Sequence, residues 1–182
     1  MSIYALDAKD MVQSALTGLA AFSGYPTMCS HEAELLILGT MAKESNFGYY
    51  WRQIEGPAIS PFQLEMPTIL DITNRYFSKR PVFRMAVEET CCISFNGLIP
   101  AHMGDIIKSN FRFACILARF KYWMAPSPIP KQEWYGAWTP YMRALGEYWD
   151  VHYNINPHVG TPEEFMKTFE DYVLPLYEGD FN

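Results

Sequence analysis

Residues 30–48 read SHEAELLILGTMAKESNFG, and this stretch decides the fold class. Ser30 is a favourable N-cap, and Glu32 and Glu34 follow in the first turn, where the helix dipole stabilises acidic side chains. An apolar run comes next, and glycine is a frequent helix terminator. The sequence therefore predicts a helix that begins after Ser30 and ends at Gly48.

Helical spacing of apolar residues recurs along the rest of the chain. The motif Thr161-Pro162-Glu163-Glu164 is a capping box, and a helix at 131–152 is expected to restart at Thr139-Pro140, where threonine can cap. Two prolines and a glycine at 52–63 indicate turns. We predict a mainly α protein, with at most a small β-hairpin region, whose helices cover 7–22, 30–48, 67–77, 80–93, 100–124, 131–152 and 161–176.

Length and composition indicate one domain. The chain has 182 residues, 49% of them hydrophobic and 19% charged, which is enough to bury a full core. It contains neither an internal repeat nor a linker rich in glycine and serine. We therefore expect a single domain over 1–182, with the motif-bearing core at 30–175.

Several function classes are disfavoured by composition. A net charge of −6 without a basic cluster argues against nucleic-acid binding. No apolar stretch approaches the ~20 residues that span a bilayer, so no membrane insertion is expected, and the N-terminus MSIYALDAKD does not resemble a secretion signal. The histidines lack metal-ligand spacing, so neither a metal nor a cofactor is expected. We interpret the four cysteines as reduced thiols: Cys29, Cys91, Cys92 and Cys115.

Glu44 is the leading candidate for chemistry. It shares a helix face with Ile37 and Met41, so its carboxyl is expected to project from the inner face. Burial disfavours the carboxylate, and a carboxyl that stays protonated near neutrality can act as a general acid. The competing interpretation is a solvated glutamate near a helix end, or one paired with Lys43 or Arg52.

Three segments carry a resemblance to a known family. Residues 39–48 (GTMAKESNFG) are similar to the catalytic helix of goose-type lysozymes and soluble lytic transglycosylases, in which a small and apolar run leads into Glu-Ser and an aromatic. Residues 60–68 (SPFQLEMPT) resemble the stretch whose glutamine lines the cleft. Residues 147–157 (EYWDVHYNINP) resemble the segment whose tyrosine touches the catalytic carboxyl.

A closer resemblance is to a lysozyme-like group from tailed bacteriophages, and it covers roughly residues 30–175. The ordered set of matches is Ala42-Lys43-Glu44-Ser45, Gln53, Gly56-Pro57-Ala58, Phe62-Gln63-Leu64-Glu65, Thr68, Ile129-Pro130, Tyr148-Trp149, Tyr153-Asn154 and Gly160-Thr161-Pro162-Glu163-Glu164-Phe165.

The resemblance implies a lysozyme-like helical domain and a role for each matched residue. Glu44 would protonate the glycosidic oxygen and later act as a base. Gln63 would position the N-acetyl region of the sugar or a water. Tyr153 would hydrogen-bond to Glu44 and orient it, with Asn154 beside it in the substrate site. Ser45 would contact the substrate or cap the helix locally.

The need for a second carboxylate stays open at this point. Retaining and inverting glycosidases use two carboxyl groups, and Glu65 and Asp71 are the nearest candidates. Glu65 could also be a structural ion-pair partner, and many members of the family use one glutamate only. Tyr49, Tyr50 and Trp51 directly follow the acid and could form part of a sugar-stacking wall.

The function implied is a muramidase or lytic transglycosylase that cleaves the MurNAc-GlcNAc β-1,4 bond of peptidoglycan glycan strands. The expected setting is a phage virion or tail, with other virion proteins as partners, or the host cytoplasm before release as an endolysin. The alternative is a structural tail or virion component with a vestigial fold, which departures from the family pattern at Ser60-Pro61 and Ile155-Asn156 favour. A third interpretation is a helical protein whose motif matches are accidental.

Overall fold

The computed structural model describes residues 3–53, 56–154 and 160–177. All regular elements in these ranges are helical, which confirms the mainly α class. Short 3-10 turns lie at Pro26–Cys29, Phe77–Lys79, Gln132–Trp134 and Leu174–Tyr177. The α-helices are α1 (Ile3–Ser23), α2 (His31–Ser45), α3 (Met66–Leu70), α4 (Pro81–Cys91), α5 (Pro100–Ser109), α6 (Phe111–Trp123), α7 (Trp138–His152) and α8 (Pro162–Tyr172).

Helix α2 runs through the centre of the molecule. Every residue from Ala33 to Ala42 is buried, and α1, α6, α7 and α8 pack around the helix. A helix that is apolar on all sides is stable only in such an interior position. The expected N-cap is confirmed, because the Ser30 side chain accepts a hydrogen bond from the Ala33 N–H at 3.2 Å.

Helix α2 ends at Ser45, three residues before the expected end at Gly48. Asn46, Phe47 and Gly48 have φ values of 51°, 55° and 79°, so the backbone turns left-handed directly after Ser45. The Asn46 N–H bonds to the carbonyls of Ala42 and Met41 and closes the last turn. Glu44 is therefore in the final turn of the central helix, where the chain leaves the core.

Three other predicted helices differ from the structure. The predicted helix over 100–124 is divided into α5 and α6, because the Asn110 side chain accepts from the Phe113 N–H and starts a new helix. Helix α7 begins at Trp138 after Ala137 and not at a cap on Thr139. The predicted helix near 67–77 begins as α3 and continues as a wider π-type turn over Asp71–Tyr76.

The segment before α3 forms turns and single β-bridges. Ile59 pairs with Arg52 and with Leu64, and no longer strand occurs in the described residues. Residues 54 and 55 lie outside that part of the chain. The reversal between Ile59 and Leu64 is tight, since each N–H bonds to the other's carbonyl at 2.9 and 2.8 Å.

Helix α8 packs tightly against α2 and α7. A Cβ added at Gly39 of α2 would lie 2.5 Å from the Phe165 ring, and one at Gly146 of α7 would lie 2.7 Å from the Pro162 carbonyl oxygen. Only glycine permits these approaches. The capping box that opens α8 is confirmed, with Thr161 and Glu164 each bonding to the other's backbone N–H.

Two further observations concern the whole described chain. No helix within residues 3–53, 56–154 and 160–177 has both the length and the apolar character required to cross a membrane. All four cysteines are free thiols, as expected, and Cys91 and Cys115 are buried.

Candidate functional site

A cleft of about 320 Å³ opens beside the end of α2. Its walls come from the last turn of α2, Gln53 and the loop at 58–65, Thr68 of α3, the C-terminal turn of α6 and the end of α7. The cleft brings together five of the six residues that the sequence singled out, namely Glu44, Gln63, Glu65, Tyr153 and Asn154. Lys43, Gln53, Ala58, Thr68, Lys121 and Trp149 complete its lining.

Glu44 is half-buried on the cleft wall and receives one hydrogen bond from Trp149. The indole Nε1–H donates to Glu44 Oε1 at 3.1 Å, across 105 positions of sequence. Burial raises the pKa of Glu44 above its ordinary value, while the bond from Trp149 and the charges of Lys121 and Lys43 act in the opposite direction. The carboxyl is therefore held in place and keeps its proton to higher pH than a surface glutamate.

Two lysines lie near the acid, and each is held by a different partner. Lys121 Nζ donates to the Tyr153 carbonyl oxygen at 2.6 Å and lies 3.8 Å from the centre of the Tyr153 ring. Burial lowers the pKa of Lys121 to about 8, against the raising effect of Glu44 and Glu65. Lys43 Nζ instead forms an ion pair with Glu164 at 2.8 Å. The acid thus has positive charge nearby without a direct ion pair.

Gln63 lies on the cleft wall in a conformation that is unusual for its residue type. Its φ is +45°, a left-handed value that favours glycine or asparagine. Its side-chain Nε2 donates to the carbonyl oxygens of Tyr50 at 3.0 Å and Ser60 at 2.9 Å. These bonds fix the amide group, and they use its donors within the protein. The amide oxygen is then the group that can accept from a ligand.

Tyr153 does not make the expected hydrogen bond to Glu44. Its hydroxyl donates to the Phe62 carbonyl oxygen at 2.7 Å, so it connects the end of α7 to the loop that carries Gln63. The ring is buried, and burial raises its pKa well above the usual range, with Glu44 contributing next. Tyr153 therefore orients the Gln63 loop, and Trp149 is the residue that orients the acid.

The remaining predicted residues have distinct positions. Ser45 is buried outside the cleft, where its hydroxyl donates to the Met41 carbonyl and accepts from the Gly48 N–H. Of the two roles predicted for Ser45, these bonds correspond to the local cap at the end of the helix. Glu65 is exposed on the cleft rim, and Asn154 is held by Asp150 at 3.0 Å and by the Gly160 carbonyl. Asp71, the other carboxylate considered, pairs with Arg75 outside the cleft.

Sequence reasoning missed Trp149 and Lys121 as site residues. Trp149 stood out only as part of the Tyr148-Trp149 match, and Lys121 was not singled out. A usable signal was the spacing of Trp149 and Tyr153, which are four apart and so fall on one helical face. Nothing local to Lys121 distinguishes it from a surface lysine.

The three aromatic residues after the acid lie outside the cleft lining. Tyr49 is 75% exposed and its ring meets that of Tyr50 edge to face, with centroids 4.8 Å apart. Trp51 is also exposed. Their proposed contact with sugar stays a prediction. The departure from the family pattern at Ile155-Asn156 falls outside the described residues.

The described residues contain no group of three His, Cys, Asp or Glu side chains placed to hold a metal ion. Comparison of the chain with models of known protein families, with curated proteins and with solved structures gave no match.

Proposed function

We propose that the protein cleaves a β-1,4 glycosidic bond in peptidoglycan, as a lysozyme or lytic transglycosylase with Glu44 as its acid and base. The observation that carries the proposal is the half-buried Glu44 carboxyl, which has a raised pKa and faces a cleft shared with Gln63, Tyr153 and Asn154. The resemblance of these segments to lysozyme-like proteins adds the substrate class.

The first step is proton donation. Because burial favours the neutral carboxyl, Glu44 keeps to higher pH than an ordinary glutamate the proton that it would donate to the leaving oxygen. Trp149 bonds to Oε1, so Oε2 is the oxygen that can carry this proton. As the proton leaves, negative charge develops on Glu44, and the indole N–H and the Lys121 ammonium stabilise it.

The second step returns the proton. The Glu44 carboxylate accepts a proton from an attacking water or from a hydroxyl of the sugar itself, and the acid is regenerated. Gln63 contributes its amide oxygen, which is suited to accept the N–H of an N-acetyl group. Glu65 on the rim is the only other predicted carboxylate in the cleft, and the mechanism with one glutamate requires nothing from it.

The setting belongs to the same proposal. A cell-wall enzyme of a phage virion, with virion proteins as partners, follows from the similarity to the tailed-phage group. The alternative, a structural component without activity, is supported by the Ser60-Pro61 departure. Both residues are buried in the tight reversal that leads to Gln63, and Ser60 has a φ of +73°.

The test is digestion of purified peptidoglycan by the wild type, Glu44→Gln and Glu147→Gln. Glu147 lies exposed on α7 outside the cleft, so its variant is a matched control for the same chemical change. General acid catalysis contributes about 10²- to 10⁴-fold, and we expect Glu44→Gln to lose activity by that factor. Glu147→Gln should retain full activity.

Mass spectrometry of the released muropeptides distinguishes an anhydro sugar end from a hydrolysed one. A folded wild type that releases no muropeptides, or a Glu44→Gln variant as active as Glu147→Gln, would overturn the enzymatic proposal. A folded but inactive wild type would instead support the structural alternative.

A further inference from the structure

A second cavity, of about 420 Å³, lies apart from the Glu44 cleft and has no residue in common with it. It is bounded by the start of α2, the end of α6, the 125–131 loop and α7. Much of its wall is aromatic, from Tyr122, Trp123 and Tyr148, with Ile129 beside them. This volume and lining are typical of sites that take a small molecule.

The polar centre of the cavity is Arg119, whose side chain is buried at 3% exposure. Its Nε donates to the Met28 carbonyl at 3.1 Å and its Nη2 to the Thr27 carbonyl at 3.0 Å. Both bonds use the same edge of the guanidinium. The opposite edge, with Nη1 and the second N–H of Nη2, therefore remains for another acceptor.

Arg119 has no counter-ion within the part of the chain that the structure describes. None of the ion pairs there includes it. Burial lowers the pKa of Arg119 to about 10, and the groups that oppose this effect, Tyr148, Cys115 and Cys29, include no carboxylate. A buried cation without a carboxylate is costly, and a ligand anion would offset that cost.

Two further charges lie at the cavity wall and have opposite effects. Lys131 adds a second positive group, which is paired with Glu133 at 3.7 Å, whereas the Glu32 carboxylate would repel an anion. Ser30 and Glu32 also place the first turn of α2 at this wall, and the positive end of that helix favours negative charge. The buried Arg119 and the positive end of α2 are therefore the features that favour an anionic ligand.

We propose that this cavity binds a small organic carboxylate with a flat apolar body. The carboxylate would accept from the outer edge of Arg119, and the body would lie against the rings of Tyr148 and Trp123. The site is independent of the proposed cell-wall activity, because it shares no residue with the cleft.

The test is a ligand-observed NMR titration of the full chain with benzoate, which carries both features. Benzamide keeps the flat body without the charge, and acetate keeps the charge without the body. We expect saturable benzoate binding that is at least tenfold tighter than binding of either control, since a hydrogen bond to a charged group contributes about 1.5–3 kcal/mol. Benzamide binding as tight as benzoate binding, or no saturable benzoate binding, would overturn the proposal.

Three variants locate the site. Ile129→Trp fills the cavity from a half-buried loop position and should abolish benzoate binding. Glu32→Gln removes the repelling charge and should tighten binding by roughly two- to fivefold, as expected for one charge at a solvated wall. Arg119→Lys keeps the charge but loses the guanidinium edge, and should weaken binding about tenfold.

The test can still be decided if the variant at the buried Arg119 does not fold. If circular dichroism shows that Arg119→Lys is unfolded, Ile129→Trp and Glu32→Gln still decide the matter. Glu147→Gln, exposed and outside the cavity, should bind benzoate as the wild type does. Wild-type affinity in Ile129→Trp would place the bound benzoate elsewhere and contradict the proposal.

Discussion

The cleft at Glu44 and the cavity at Arg119 are joined by one stack of tyrosine rings. Tyr122 stacks on Tyr153, which lines the cleft, at a centroid distance of 5.1 Å, and on Tyr148, which lines the cavity, at 5.9 Å. Glu44 in the cleft and Arg119 in the cavity are both sheltered from water, and neither makes a direct ion pair in the part of the chain that the structure describes.

The difference between the two sites lies in how that group responds to burial. A carboxyl can become neutral by keeping its proton, so burial of Glu44 produces a proton donor. A guanidinium keeps its charge at physiological pH, so a bound anion would stabilise the buried Arg119 side chain. The loss of hydration on burial thus favours acid catalysis in the cleft at Glu44 and anion binding in the cavity at Arg119.

Among the residues around Glu44, the largest effect is expected from Trp149→Phe. The change removes the only hydrogen bond that the described residues donate to Glu44 and keeps an aromatic ring in place. Because a bond to a charged group contributes about 1.5–3 kcal/mol, we expect kcat/KM to fall about tenfold to hundredfold. Removal of the bond also raises the Glu44 pKa further, so the alkaline limb of the pH profile should move to higher pH.

Steady-state kinetics on purified peptidoglycan across pH measure both effects. The matched control is Trp134→Phe, which changes an exposed tryptophan outside the cleft. An unchanged rate and an unmoved alkaline limb in Trp149→Phe would mean that the indole does not act on the acid.

The next effect is on stability, and its sign follows from proton binding. The folded protein holds its Glu44 proton to higher pH than the unfolded chain, so stability falls as pH rises from the ordinary glutamate pKa to the raised one. Glu44→Gln removes that loss. We expect the variant to become more stable than the wild type as the pH rises through this range, with the gain vanishing below the ordinary glutamate pKa.

Urea denaturation of the wild type and Glu44→Gln over that pH range measures the difference in their free energies of unfolding. Arg119→Met extends the comparison to the cavity side, where the Arg119 pKa of about 10 keeps the charge constant through neutrality. Its stability change should therefore be independent of pH in the same range. A Glu44→Gln gain that persists unchanged at low pH would contradict the role of protonation.

Much of the fold could be predicted because its signals are local. Ser30 and the Thr161–Glu164 capping box begin helices through contacts within one turn, and both were predicted correctly. The break at Asn110 was missed because an apolar helical pattern continues across it, and a single capping side chain decides the outcome.

The site was predictable only in part. Motif order brought Glu44 and Gln63 to one cleft, but the partner of each side chain depends on tertiary packing. The Trp149–Glu44 bond spans 105 positions and the Tyr153–Phe62 bond spans 91, and neither leaves a local pattern. This is why the role expected of Tyr153 belongs to Trp149.

A smaller effect should separate the two lysines of the cleft. Lys121 acts on the Glu44 pKa more strongly than Lys43, whose ammonium is paired with Glu164. Loss of either positive charge raises the Glu44 pKa. We therefore expect Lys121→Met to move the alkaline limb of kcat/KM further upward than Lys43→Met, each by an effect of about 0.5–1 kcal/mol or less.

The pH profiles of the two lysine variants, measured side by side with the wild type, provide this ranking. A larger shift in Lys43→Met, or a shift to lower pH in either variant, would show that another group sets the charge around the acid.

The most direct measurement is an NMR titration of the Glu44 side-chain carboxyl carbon, assigned by its absence in Glu44→Gln. Burial in the last turn of α2 predicts a midpoint clearly above the ordinary glutamate value, and a further rise in Trp149→Phe. A midpoint at or below that ordinary value would show a solvated carboxylate, and would contradict the assignment of Glu44 as the proton donor.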